Sequence, residues 1–288
     1  MLPEISLSVM GAQIHIHTYD LFIWLSMATG LAMAYVQLTR MGTGRRAAVL
    51  TCAVTGASFL LGARVLNYVI NYKKYTEAGI PLFIMKSGYF SLYGGMAASF
   101  LALYISSHRL RTDFLELMDR LTVPFLLSYF VMKIGCFLNG CCYGKMTKSS
   151  FSVPLPLKEQ AKLESSPLIS QFFGSPEIRV YPAQLMEASA AIFIIAAVLL
   201  AERLLRSKIK GNRKGAGFAL AAALLSLSRL VILQFRSTSY SYAVLNIFYP
   251  VLYISVIAVS AAFLCNRFGL RNPYFFSGSY EDHSADSH

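Results

Sequence analysis

Three cations and one carboxylate lie inside or at the ends of long apolar runs: Arg64, Lys133, Arg229 and Glu187. An ionisable group in hydrocarbon costs several kcal/mol unless it is paired or wetted, so such residues mark places where chemistry or binding is expected. A pocket with more positive than negative charge suits a phosphate, and the planar fork of arginine matches two phosphate oxygens at once. Tyr19 and Asp20, Tyr93, and Gln184 supply further polar groups, each near the start of an apolar run. Any one cation could instead snorkel to a headgroup layer along its aliphatic stem. Several of them at one depth, joined by a carboxylate, point to a shared anion site, which an enzyme or a carrier could use.

The elements that must position these residues follow from composition. Of 288 residues, 56% are hydrophobic and 14% charged, against about 25% charged in a soluble domain. That excludes a single soluble globule. The apolar residues fall into runs of about 20, the length that crosses a bilayer, at 20–39, 47–70, 88–107, 121–138, 181–202, 216–235 and 244–265. The expected fold is an all-α polytopic membrane protein with about seven spans. It forms one domain over 1–270, with a loop at 139–180 too polar to span and a flexible tail at 271–288. No Lys or Arg precedes Arg40, so the first run lacks the basic leader of a removable signal peptide and is expected to stay as a helix. The excess of 26 basic over 14 acidic residues forms no basic stripe interleaved with aromatics, so nucleic acid is not an expected partner. It serves topology and contact with anionic lipid instead, above all in the run from Arg203 to Lys214.

Basic residues near span ends stay on the cytoplasmic side. The loops at 40–46, 107–120 and 203–215 with the tail carry fourteen of them, and the alternate loops carry nine. The amino terminus is therefore expected outside and the carboxy terminus inside. In that arrangement Arg64, Lys133 and Arg229 each sit five or six residues before an outer span end, roughly 8 Å deep. The polar residues at the starts of the other spans fall in the same layer.

Six short segments resemble, in order, the prolipoprotein diacylglyceryl transferases of bacterial inner membranes. Lys133-Ile-Gly-Cys-Phe-Leu-Asn139-Gly140-Cys-Cys-Tyr-Gly144 is similar to that family's Arg-x-Gly-Asn-Phe-x-Asn-Gly-Glu-x-x-Gly signature. His17-Thr-Tyr19 resembles its His-Trp-Tyr, and Gly62-Ala-Arg64 its Gly-Ala-Arg. Tyr93-Gly94-Gly95 stands where His-Gly-Gly is usual, and Tyr181-Pro182-Ala-Gln184-Leu-Met-Glu187 where His-Pro-x-Gln-Leu-Tyr-Glu is usual. Arg229 and Arg236 keep the spacing of an Arg-x-x-x-Glu-x-x-Arg.

The resemblance implies a seven-span enzyme that moves the diacylglyceryl group of phosphatidylglycerol onto the lipobox cysteine of a prolipoprotein signal peptide, releasing glycerol phosphate. It implies catalytic roles for Arg229, Lys133, Tyr93 and Tyr19. It implies substrate binding by Arg64, Asn139, Gly140, Gly144, Gly94, Gly95, Gln184, Glu187 and Arg236, with no metal and no cofactor. Departures stand at Lys133, Cys136, Cys141, Tyr93 and Leu233, and bear on the acceptor and the proton route more than on phospholipid binding. A divergent member with another acceptor or another anionic phospholipid, and an anionic-lipid carrier, are the alternative readings.

Cys136, Cys141 and Cys142 form C-x4-C-C, which is no recognised zinc spacing, so the expectation is a possible disulfide rather than a metal. Cys52 and Cys265 lie in apolar helix and read as core. Gly56 with Gly62, and Gly94 with Gly95, suit close helix packing as well. His15 and His17 read as interfacial anchors. A reporter active only outside the membrane is expected to work when fused within 150–170 and to fail at 208, and the opposite pattern would invert the polar layer.

Overall fold

All seven apolar runs form long helices in the computed structural model, which describes residues 4–9, 12–84, 89–155, 178–208, 214–237 and 244–268. They are α1 (Thr18–Arg40), α2 (Arg45–Ile70), α4 (Leu92–Leu110), α5 (Phe114–Asn139), α6 (Ala183–Lys208), α7 (Ala216–Leu233) and α8 (Tyr249–Arg267), with a short α3 at Tyr72–Glu77. A π-helical turn, Val244–Phe248, leads into α8. Among the described residues six helices are long and apolar enough to cross a membrane, and the chain is a multi-pass membrane protein. The expected seventh span is α4, which forms but does not reach that hydropathy. Gly94, Gly95, its serines and the terminal His108-Arg109 dilute it.

Two small sheets were not expected. β1 (Glu4–Val9) pairs antiparallel with β2 (Ala12–His17) just before α1. The period-2 alternation of Ile5, Leu7 and Val9, and of Ile14 and Ile16, carries that signal. β3 (Val153–Pro154) pairs with β4 (Arg179–Val180), closing the base of the expected 139–180 loop. Residues 156–177 of that loop, and the expected tail at 271–288, lie outside the described residues.

Helix ends follow local chemistry. α5 begins at Phe114, earlier than the apolar run suggests, because Asp113 accepts a hydrogen bond from the Leu115 N–H at 2.9 Å and caps it. Its other end is a Schellman turn. Gly140 takes φ +76°, its N–H donates to Phe137 O, and the Cys141 N–H donates to Cys136 O, both at 3.1 Å. A Cβ-bearing residue resists that backbone, which explains a glycine there. α7 is capped from a distance: Asp119 of α5 accepts from the Gly215 N–H at 2.7 Å and the Phe218 N–H at 2.8 Å.

Packing between helices sets their level. α2 and α4 meet along their length, with Gly62 against Gly94, and a Cβ on Gly62 would sit 2.5 Å from the Gly94 carbonyl oxygen. Gly95 lies against the Phe59 ring. α1 packs on α5 through Phe22 against Gly135 and through a 2.7 Å hydrogen bond from Ser128 Oγ to Ser26 O. We expect Gly94→Val to lower stability by roughly 3 kcal/mol, the upper range of overpacking, since the obstacle is backbone. Ala97→Val, at an exposed position of the same helix, should change it by no more than about 0.5 kcal/mol. Thermal unfolding in detergent reads both.

Candidate functional site

Glu187, one turn into α6 and buried, gathers groups from two other helices and a loop. Its Oε2 pairs with Lys133 Nζ of α5 and accepts a 3.0 Å hydrogen bond from the Tyr129 hydroxyl. Its Oε1 faces Arg229 Nη1 of α7 at 3.7 Å and Arg236 Nη1 at 3.6 Å. The Tyr129 hydroxyl in turn accepts from Arg229 Nη2 at 2.9 Å, so one phenol bridges the carboxylate and the arginine. Three cations around one carboxylate leave a formal excess of two positive charges. The two arginine contacts to Glu187 are longer than a hydrogen bond. Both guanidiniums therefore keep donors for an anion, and both retain some exposure, 15% and 24% of their side chains.

Spacing explains part of this. Tyr129 and Lys133 are four apart on α5 and share a face, while Arg229 and Arg236 lie two turns apart. Arg236 is past the end of α7 and depends on three loops meeting there. The Gly144 N–H donates to Tyr181 O at 2.8 Å, the Lys145 N–H to Phe235 O at 2.7 Å and the Tyr181 N–H to Lys145 O at 3.1 Å. A Cβ on Gly144 would lie 2.5 Å from the Phe235 carbonyl oxygen. Gly144 is thus a point where backbones touch, and it holds Arg236 toward Glu187.

Arg64 is elsewhere. It was expected to share a phosphate with Lys133 and Arg229, but its Nε donates to Leu82 O at 2.6 Å and its Nη2 to Pro81 O at 2.8 Å. The guanidinium also sits 5.7, 5.3 and 5.2 Å from the ring centroids of Tyr68, Tyr75 and Tyr89. Arg64 is 1% exposed, and its charge is spent tying Pro81, Leu82 and Tyr89 to α2. Arg236 takes the third cation position. Gly94 and Gly95, expected among substrate-binding residues, are buried in the α2–α4 seam. Tyr68 and Tyr75 near Arg64 were the sequence signal that it would be caged.

The other expected residues surround the cluster at the same end of the bundle. Tyr93 stacks on Tyr249 at 6.4 Å, and Tyr249 on Tyr253 at 6.1 Å. Tyr129, Tyr249 and Tyr253 were not singled out from the sequence, although their i, i+4 spacing on helices was visible. Gln184 Nε2 donates to Cys141 O at 2.6 Å, while its buried Oε1 finds no hydrogen-bond partner among the described residues. Asn139 ends α5 directly before the Gly140 turn that carries Cys141 and Cys142, and Tyr19 stands in the first turn of α1. Hydrogen bonds from Cys136 and Cys141, with the Lys133 and Arg236 charges, hold the Cys142 thiol well below the usual thiol range. The linear C-x4-C-C spacing hides how close these three are, because the Schellman turn folds the chain back on α5.

A multi-pass membrane protein with a buried, net-positive, carboxylate-centred cluster at one end of its helices is the class that fold and site define. The chain belongs to the prolipoprotein diacylglyceryl transferase family, whose model matches residues 5–266. It is similar to the phosphatidylglycerol–prolipoprotein diacylglyceryl transferase of Clostridium tetani, 27% identical over 173 residues, 60% of this chain and 61% of that protein. The Rickettsia bellii protein of the same name is 32% identical over 125 residues, 43% and 46% of the two chains. Clostridium perfringens has a transferase numbered 2 that is 25% identical over 160 residues, 56% and 62%. The chain thus spans between about half and three fifths of the length of the curated relatives it matches.

The site analysis predicts strong coupling between Glu187 and its cations. Removing one partner of a buried pair costs about 3–5 kcal/mol, so Glu187→Gln should lower stability by that order. In a Lys133→Met background the same substitution should cost clearly less. Additive losses in this double-mutant cycle would break the assignment.

Proposed function

We propose that this protein transfers the diacylglyceryl group of phosphatidylglycerol to the lipobox cysteine of a prolipoprotein in the bacterial cytoplasmic membrane. What carries the reading is the cluster of Lys133, Arg229 and Arg236 around Glu187, with arginine donors left open. A phosphodiester headgroup is the ligand such a pocket suits, at a depth that a lipid headgroup reaches from the membrane surface. The arrangement proposed has seven spans, α4 included, with the amino terminus outside and the cluster in the outer half of the bilayer.

The reaction balances without a cofactor. The acceptor thiolate attacks a glycerol carbon, an S–C bond forms, and the C–O bond to phosphate breaks. The electron pair leaves with the phosphate, and the thiol proton ends on the released glycerol phosphate. Charge develops on the leaving oxygens, where fixed cations act most strongly in a water-poor site. Arg229 and Lys133 supply that stabilisation, with Arg236 binding the phosphate. Glu187 keeps the cations together in the empty pocket. Asn139 and Gln184 Oε1 are suited to hydrogen bonding with the lipid oxygens and hydroxyls. Tyr93, stacked on Tyr249, and Tyr19 would pass or donate a proton, although a phenol near pKa 10 is a weak base without a cation beside it. Gly140 and Gly144 serve this site by shaping the backbone around it. Arg64 serves it by fixing the neighbouring loop.

The purified protein incubated with phosphatidylglycerol and a lipobox peptide should give a thioether-linked diacylglyceryl peptide by mass spectrometry. Arg229→Ala should lower turnover by roughly two to three orders of magnitude, the scale of losing one preorganised charge stabiliser, while thermal unfolding stays cooperative. Lys133→Arg, which keeps the charge, should remain active, and Lys133→Met should not. No product from the unmodified protein, or full activity of the methionine variant, would refute the assignment.

A further inference from the structure

The three cysteines at the end of α5 are not needed for the proposed transfer, because the acceptor brings its own thiol. Their sulfur atoms nevertheless all lie within 4.8 Å of one another. Zinc–thiolate bonds of about 2.3 Å place sulfurs about 3.8–4.0 Å apart in tetrahedral or trigonal geometry. The three need to close by less than about 1 Å, a side-chain rotation. The backbone is already built for it. Gly140 reverses the chain, Cys142 holds φ +60°, and the Cys141 N–H bond to Cys136 O fixes one strand of the turn to the other.

We propose that Cys136, Cys141 and Cys142 form a binding site for a thiophilic d10 cation, Zn2+ or Cu+. Thiolate ligands select these ions over hard cations. Binding releases three thiol protons to solvent and forms three metal–sulfur bonds, which leaves an anionic complex balanced by Lys133 and Arg236. The outer shell that such a site requires is present. The Cys141 Sγ–H lies 3.7 Å from Cys136 O, and the Gln184 amide holds the Cys141 carbonyl at 2.6 Å. The Oε1 of that amide is buried without a partner among the described residues, a free acceptor on the side chain that holds the turn. Cys136 is buried, Cys141 intermediate and Cys142 exposed, so an ion enters from the Cys142 side. The bound ion would staple the turn after α5, with Lys133 less than one turn away from Cys136.

The test uses the full chain, purified in detergent, reduced, and freed of reductant without air. Cd2+ is the probe, followed by competition with Zn2+ and Cu+. The expected result is one equivalent of Cd2+ bound with an ultraviolet thiolate-to-metal charge-transfer band, displaced by either competitor. Bound Cd2+ should protect Cys136, Cys141 and Cys142 from alkylation, while Cys52 and Cys265 react as before by peptide mass spectrometry. A Cys141→Ser/Cys142→Ser variant should lose the band, and a Cys52→Ser/Cys265→Ser variant should keep it. The protection experiment needs no variant and stands if one fails to fold. Absence of the band, alkylation of all five cysteines in the presence of Cd2+, or a disulfide between two of the three in protein isolated without reductant would overturn the proposal.

Discussion

The Glu187 carboxylate is the group on which this end of the molecule depends. Lys133 is almost fully buried, and a buried ammonium is tolerable only with an anion against it. Glu187 supplies that anion with one oxygen and draws Arg229 and Arg236 toward the other. α5, α6 and α7 are thereby held at one relative height by a single side chain. The division between its two oxygens also decides the chemistry of the pocket. Lys133 and Tyr129 saturate Oε2, while the arginines approach Oε1 loosely and keep hydrogen-bond donors in reserve. A carboxylate that neutralised all three cations would leave nothing to bind an anion.

Around that centre the antiparallel bundle brings together helix ends that are far apart in sequence. The starts of α1, α4, α6 and α8 and the ends of α2, α5 and α7 meet there. The meeting point is fixed by contacts that tolerate no slippage. Gly62 and Gly94 place α2 against α4 backbone to backbone, and Asp119 clasps the amino end of α7 at its far side. Gly144 threads between Tyr181 and Phe235. A helix moved by one residue along its axis shifts by about 1.5 Å, enough to break a hydrogen bond. Rigid seams away from the charges thus keep the charges within reach of each other.

The departures from the family pattern acquire a physical meaning in this setting. Lysine in place of arginine at 133 pairs with Glu187 as a compact point charge and gives up the planar fork, while Arg236 and Arg229 retain it. Tyrosine in place of histidine at 93 joins a column of stacked rings with Tyr249 and Tyr253 next to Arg229. Cysteine at 136 and 141 puts sulfur where the family has amide and carboxylate. That exchange gives the turn after α5, with its Gly140 at φ +76°, a cluster of sulfur atoms.

The long helices and the charges buried among them were legible in the amino-acid sequence, because a bilayer leaves apolar runs of fixed length and makes every intramembrane charge conspicuous. Lys133, Glu187 and Arg229 were readable for the same reason, Arg236 only through its spacing from Arg229 in the family pattern, and the hairpin before α1 is written in the alternation of Ile5, Leu7 and Val9 with Ile14 and Ile16. Tertiary structure decided which charges meet. Arg64 and Arg229 both read as intramembrane cations, yet one is caged by tyrosines and carbonyls close to it along the chain, while the other meets a carboxylate on another helix and a phenol 100 residues away, and partners that distant carry no local periodic signal. The turn at Gly140 likewise converts an unrecognised cysteine spacing into three neighbouring sulfurs. Sequence spacing counts residues along the chain, whereas ligation and pairing depend on distance through space, and only the fold relates the two.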